Sequence, residues 1–345
     1  MRRFLILLII LGVVGAVAVE LANELWRKAG PLSHPAVVLI PPRTSTHDIA
    51  AKLQGAGVVA NALIYEGEIH LQGQAAKVKA GEYAIPAHAS MADVTAIMVL
   101  GKSIQHKLTI AEGLTSDMAY KLVVANPVLV GDPGPEPAEG ALLPETYLFT
   151  RGTTRRELLA RMEKAETKFL AQQWAARADN LPFTTPEQAV TLASIVEKET
   201  ALPEERRHVA AVFLNRLKTG MKLQSDPTII YGVSKGYPLG RPIYESEIEG
   251  ATPYNTYVIP GLPPGPICNP GKDSLSAVLR PEDSSDLYFV ANGKGGHVFA
   301  ATEAEHLRNV AAWRAIERAK NPDAAPLPPP VEAPKKTRHS RARTR

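Results

Sequence analysis

A single cysteine, Cys268, among 345 residues leaves no partner for an internal disulfide and excludes a cysteine-based zinc site. Stability must come from packing. The chain also has no Gly-rich phosphate loop, no HExxH pair and no G-x-S-x-G elbow, so cofactor and metal chemistry have no foothold and no cofactor is expected. A charge excess is missing from the body of the chain. The formal net charge is +4, but Lys335, Lys336, Arg338, Arg341, Arg343 and Arg345 face only Asp323 and Glu332 in the last stretch, so residues 1–320 are neutral. A neutral body does not argue for a nucleic-acid enzyme, and the Pro-rich basic tail over 321–345 reads as disordered and solvated. No internal repeat is present. The hydrophobic and charged fractions, 45% and 21%, are those of a folded protein with room for two domains.

One long apolar run stands out. Arg2 and Arg3 precede Phe4 to Val19, and the run breaks at Glu20. It is a membrane-targeting segment, between a signal-peptide core and a full span in length, with a possible cleavage site at Ala16-Val17-Ala18. An uncleaved anchor is the preferred reading. The two arginines lie on one side while Glu20, Glu24, Arg27 and Lys28 cancel on the other, so the body is expected outside the cytoplasm.

Beyond residue 28 the patterning is mixed. Ala36 to Ile40 reads as a strand, Thr46 to Gly55 and Ala60 to Leu71 as helices, Lys79 to Ile85 as a strand and Ser90 to Leu100 as a helix, a compact module over 29–105. Lys107 to Ile110 is a further strand candidate, Thr115 to Val124 a helix, and Gly131 to Gly140 a loop. Thr153 to Trp174 reads as a long helix and Glu204 to Lys218 as a helix stopped by Gly220. From Met221 the texture turns to Gly- and Pro-rich loops, followed by a helix at Ser274 to Leu279, a hairpin of Leu287 to Ala291 with His297 to Phe299, and a last helix from a Thr302/Glu305 capping box to about Ala319.

The helix from Pro186 carries a candidate general acid. Thr185 as N-cap, Pro186 at the first turn and Gln188 three residues after the cap start it twice over. Ala189, Leu192, Ala193, Ile195 and Val196 form one apolar stripe, and Glu199 falls within it, while Glu197 lies nearer its edge. Desolvation favours the neutral carboxyl, so a half-buried Glu199 should keep its proton to higher pH than an ordinary glutamate, as a general acid requires. The competing reading is a structural salt bridge from Glu199 to Arg206 or Arg207, and the helix alone leaves both open. Ser194 is core filler, since no histidine stands at a partnering distance in sequence.

The loops after Met221 offer amides, a carboxylate and ring faces: Gln224, Asp226, Asn255, Asn269, Tyr254 and Tyr257. Such a mixture suits a sugar chain with many hydroxyl and amide groups, although Asp226, Asn255 and Asn269 are equally suited to Asx turns. His297 could face the cleft or anchor its hairpin.

Five blocks in order, Ile195-Val196-Glu197-Lys198-Glu199-Thr200, Asn215-Arg216-Leu217, Leu223-Gln224-Ser225-Asp226-Pro227-Thr228, Tyr254-Asn255-Thr256-Tyr257 and Gly261-Leu262-Pro263-Pro264-Gly265-Pro266, resemble the MltG (YceG-like) endolytic murein transglycosylases. The resemblance extends to Glu112-Gly113-Leu114, Pro144-Glu145-Thr146-Tyr147 and the Tyr288 to His297 hairpin, and leaves out the basic tail. Together with the apolar segment read above, it implies an α+β protein with a single amino-terminal transmembrane helix (1–28), a small LysM-like module (29–105) and a larger mixed α+β catalytic domain (106–320), with the disordered tail (321–345) outside the resemblance. The activity implied is peptidoglycan lyase chemistry: cleavage of the β-1,4 bond between N-acetylmuramic acid and N-acetylglucosamine, leaving 1,6-anhydromuramic ends and terminating nascent strands. Glu199 is implied as catalytic acid, with Gln224, Asp226, Asn255, Tyr257 and Asn269 as substrate contacts. No metal is implied. The implied partners are peptidoglycan glycan strands, membrane-bound synthases (penicillin-binding proteins) and the bacterial inner membrane, with the catalytic domain periplasmic. The rival class is a non-catalytic peptidoglycan-binding scaffold for such synthases.

Overall fold

The computed structural model describes residues 2–320; the basic tail expected over 321–345 lies outside the described residues. In chain order the elements are α1 (Arg2–Arg27), β1 (Ala36–Ile40), α2 (Thr46–Gly55), α3 (Ala62–Leu71), β2 (Gly81–Ile85), α4 (Met91–Leu100), β3 (His106–Thr109), α5 (Ser116–Ala125), β4 (Thr146–Phe149) and α6 (Arg155–Ala175). They continue with α7 (Pro186–Glu199), α8 (Arg206–Thr219), α9 (Asp226–Ser234), α10 (Glu245–Glu249), α11 (Lys272–Leu279), β5 (Tyr288–Ala291), β6 (His297–Ala300) and α12 (Glu303–Lys320). The chain divides into two compact units that interleave in sequence, where the sequence suggests one break after residue 105. Unit 1 comprises residues 1–110, 120–136 and 145–161; unit 2 comprises 111–119, 137–144 and 162 onward.

In unit 1, β1 and β2 pair antiparallel, with Ala36 opposite Ile85 and Ile40 opposite Gly81. Side chains of α2, α3 and α4 close over this ribbon, burying Leu53, Tyr65, Ile69, Tyr83, Val94 and Met98 completely. The helix starts are chemical: Asn61 Oδ1 accepts from Leu63 N and Ile64 N, and Ser90 forms a reciprocal box with Asp93. Buried Tyr65 satisfies its hydroxyl on Thr95 Oγ1 at 2.9 Å. The far end of α1 belongs to this core, with Trp26 stacked on Tyr65 at 6.1 Å. Its stretch Ile9–Arg27 is long and apolar enough to cross a membrane. A second ribbon pairs His106 with Phe149 and Thr109 with Thr146.

Unit 2 is built around α7. The expected box at its start is present: Gln188 N donates to Thr185 Oγ1, while Gln188 Oε1 accepts from Thr185 N and Thr184 N. Every residue from Ala189 to Val196 is buried, so α7 is a central helix packed on α8 and α11, buried more widely than the one apolar stripe in its sequence. Burial of Leu192, Ile195 and Val196 stabilises by about 1.5–3 kcal/mol each. The helix stops at Thr200, which turns extended. α8 ends at Gly220, whose φ of 70° suits the left-handed stop.

Two helices replace expected loop. The sequence Ser225-Asp226-Pro227-Thr228 opens α9, with the proline in the first turn where its missing N–H is harmless, and Ile229 and Tyr231 buried beneath it. α10 is a single turn held by Glu247, which accepts from Tyr244 N and pairs with both terminal nitrogens of Arg241.

Candidate active site

Glu199 ends α7 inside unit 2, and its partner is Ser225. Ser225 Oγ donates to Glu199 Oε1 at 2.5 Å. Ser225 stands at the N-cap position of α9, yet its side chain makes no capping bond there; the hydroxyl that would close the helix serves the carboxylate instead. A buried network fixes the backbone that carries that hydroxyl. Ser225 N donates to Thr256 Oγ1 (2.9 Å), Thr228 Oγ1 donates to Ser225 O (2.6 Å), and the Thr228 and Thr256 hydroxyls meet at 2.9 Å. All three residues are at most 1% exposed, so Ser225 has little rotational freedom.

Burial pushes the Glu199 carboxyl up to about 7, with the nearby negative charge of Asp226 adding to the effect and the Ser225 hydrogen bond and the Arg216 charge opposing it. Arg216, on α8, is itself buried and held by carbonyls: its Nε donates to Leu287 O at 2.6 Å and one Nη to Leu223 O at 2.7 Å. Desolvation lowers its pKa, and the field of Glu199 is among the forces opposing that loss. A carboxyl balanced near neutrality can both give and take a proton.

The expected contact residues separate into two groups. Asp226 and Tyr257 lie near Glu199, and Gln224 directly precedes its partner Ser225. Tyr257 Oη donates to Asp226 Oδ1 at 2.6 Å, and Asp226 is exposed. Gln224 adopts φ +53°, a left-handed conformation that costs a non-glycine residue about 1–2 kcal/mol and that concentrates at functional sites. Asn255 and Asn269 are corrected to an interior role, because both are 0% exposed and their amides are engaged within the fold. Asn255 Nδ2 donates to the carbonyls of Glu247, Ile248 and Gly250, and its Oδ1 accepts from Tyr257 N. Asn269 Nδ2 donates to Leu114 O, and its Oδ1 accepts from Leu142 N and Ser116 Oγ. Tyr254 packs its ring on Tyr231 at 4.7 Å between centroids.

The salt-bridge alternative for Glu199 does not match the geometry. Arg206 faces Glu197, Glu112 and Asp273 at 3.7, 3.6 and 3.3 Å, and Arg207 donates to the Arg280 and Pro281 carbonyls. Glu197 also accepts from Gly271 N at 2.9 Å, where a Cβ would collide with the Glu112 carboxylate. Glu197 thus organises the loop, and neither arginine is the partner of Glu199. His297 anchors its hairpin to Glu205 through its ring Nδ1 at 2.7 Å and its backbone N–H at 2.8 Å. Ser194 is fully buried, donating to Thr191 O and accepting from Ile267 N.

Ser225, Thr228, Thr256 and Arg216 escape a motif-by-motif reading. Ser-Asp-Pro at 225–227 is a helix-start signature, and reading it as one would have set Ser225 as a cap. Its diversion to the carboxylate is visible only in three dimensions.

Comparison with known proteins gives matches of three kinds. The model of the YceG-like family matches residues 38–312. The endolytic murein transglycosylase of Bacillus subtilis (strain 168) is 36% identical over 170 residues, covering 49% of this chain and 46% of that protein. The protein of the same name from Streptococcus pneumoniae serotype 2 is 38% identical over 180 residues, covering 50% of this chain and 32% of that protein. The matched stretches therefore span less than half the length of these relatives. A putative yceG-like protein from Listeria monocytogenes, of solved structure, aligns at TM-score 0.49 and 30% identity, covering 80% of this chain and 99% of that one. With the family model matched across most of its length, from the first strand of unit 1 into the final helix, the chain belongs to the YceG-like family.

Proposed function

We propose that this protein is an endolytic murein transglycosylase in which Glu199 is first acid and then base. The observation that carries the reading is the Glu199 carboxyl itself: raised to about 7 by burial, hydrogen-bonded by Ser225 and flanked by Asp226 and Tyr257. Glu199 donates its proton to the glycosidic oxygen as the bond from that oxygen to C1 of N-acetylmuramic acid breaks. The resulting carboxylate accepts the proton of the sugar's own C6 hydroxyl as O6 bonds to C1, giving the 1,6-anhydro end and regenerating the acid. No water enters, so one carboxyl group suffices where hydrolases use two. Ser225 orients the carboxylate, and Gln224, Asp226 and Tyr257 are the substrate contacts, with Asn255 and Asn269 shaping the loops behind them. The relatives named as endolytic murein transglycosylases support the same activity.

The strand–helix–helix–strand order of β1, α2, α3 and β2 supports reading residues 29–105, one part of unit 1, as the LysM-like, glycan-holding module. Residues 106–320 then form the catalytic domain. α1 anchors the chain in the inner membrane with the remainder periplasmic, consistent with its span-length apolar stretch, beside the synthases whose nascent strands it ends. Incubating purified glycan strands with the full chain and with Glu199→Gln, followed by mass spectrometry, tests this. Anhydro-ended fragments from the parent alone are expected. Reducing ends would make it a hydrolase, and intact but bound strands a scaffold.

A further inference from the structure

An acidic cavity lies in unit 2, toward the end of α7 opposite Glu199. It has a volume of about 650 Å³ and is lined by residues of α6, by the first turns of α7, by 138–141 and by Pro266. Glu139, Glu163, Glu166 and Glu187 contribute to its wall, and no lysine or arginine does. Glu139 is already engaged, accepting from Ser116 N at 2.8 Å and from Tyr231 Oη at 3.1 Å. Glu166 is not. It is 4% exposed, and neither carboxylate oxygen has a hydrogen-bond partner among the described residues. An unpaired buried carboxyl costs several kcal/mol when ionised, and burial accordingly raises this one to about 7. Such a group destabilises the fold unless something else uses it.

The rest of the lining says what. Leu170, Ala171, Val190, Pro186 and Pro266 make the walls largely aliphatic, which suits a hydrocarbon stem with a cationic end. Among the described residues no three His, Cys, Asp or Glu are grouped to hold a metal ion, which favours an organic cation. Val190 precedes Glu199 by nine residues on one rigid helix, about 14 Å at 1.5 Å per residue. We propose that this cavity is a subsite for a primary ammonium on an aliphatic chain, with Glu166 as its counter-ion, and that the ammonium is that of a diamino acid in the peptide stem of the glycan. The identity of the ammonium's source rests on the murein reading above; the subsite itself does not.

The test is binding without turnover. n-Pentylammonium is titrated onto the full-length, detergent-solubilised chain by calorimetry, beside Glu166→Gln and Ala171→Trp; the second keeps the carboxylate and plugs the exposed rim, with circular dichroism checking both folds. Saturable binding weakened at least tenfold by each variant, and not competed by 1-pentanol, is expected. Absent binding, or binding unchanged in both variants, overturns the subsite. Glu199→Gln is then equilibrated with stem-bearing glycan strands whose amines are free or acetylated. Acetylation should weaken binding several-fold in the Glu199→Gln chain and leave it unchanged once Glu166→Gln is added. Equal affinity for both strands refutes the stem as the source of the ammonium, and because no cleavage is measured, that result stands apart from failure of the lyase chemistry.

Discussion

Replacing the acid should make the protein more stable and inactive at once. Glu199 ionises at about 7 in the fold against an ordinary 4.5. Between those values the native state holds a proton that the unfolded chain has released, so stability falls as pH rises through this window and stays low above it. The displacement, about 2.5 pH units at about 1.4 kcal/mol each, corresponds to about 3 kcal/mol at pH 8. Glu199→Gln preserves shape and an acceptor for Ser225 while removing the charge. It should therefore gain about 3 kcal/mol at pH 8 and under about 0.5 kcal/mol at pH 4.5. At roughly 2–4 °C per kcal/mol for a unit of this size, the unfolding midpoint should rise by roughly 6–12 °C at pH 8. Differential scanning calorimetry of both proteins at the two pH values reads the effect directly, since other groups cancel in the comparison. A midpoint difference that is independent of pH, or a variant less stable at pH 8, would refute the claim that burial holds this carboxyl neutral.

Three further outcomes follow from the same geometry. Ser225→Ala removes the hydrogen bond that favours the carboxylate, so the pH–activity profile should move alkaline, whereas Asp226→Asn removes a charge that disfavours it and should move the profile acidic; shifts of the same sign would contradict the assignment. Gln224→Gly relieves the left-handed backbone and should stabilise by up to about 1 kcal/mol while raising KM for glycan strands, measured by chemical unfolding and steady-state kinetics. Asn255→Ala strips three carbonyls and the Tyr257 N–H of their partner and should cost about 2–3 kcal/mol of stability by denaturant titration, where a residue used only for substrate contact would cost almost none.

The elements legible in the sequence were those whose signals are local. The Thr185/Pro186/Gln188 start of α7, the Gly220 stop of α8 and the antiparallel strands framing α2 and α3 are written in capping chemistry and periodicity, and the structure contains each. The partly buried place of Glu199 was legible for the same reason, since a glutamate seven residues after Leu192 stays on an inward-facing side of the helix. What sequence hides is the competition for polar groups. Asn255 and Asn269 look like sugar contacts because an amide is equally suited to a ligand and to a backbone carbonyl, and only the fold shows carbonyls waiting on all sides. Pro227 misleads in the opposite way, punctuating a loop by its identity while starting a helix by its position. Glu166 gives no sequence signal, because one more glutamate on a charged helix is unremarked until both its oxygens prove buried and unpaired.

The central claim is that Glu199 transfers a proton between two sugar oxygens without water. Cleaving glycan strands in heavy-oxygen water with the parent chain and Glu199→Gln, and weighing the new ends, tests it most directly. Anhydro ends carrying no label from the parent, and no cleavage by the variant, are predicted. Labelled reducing ends, or undiminished cleavage by Glu199→Gln, would contradict it.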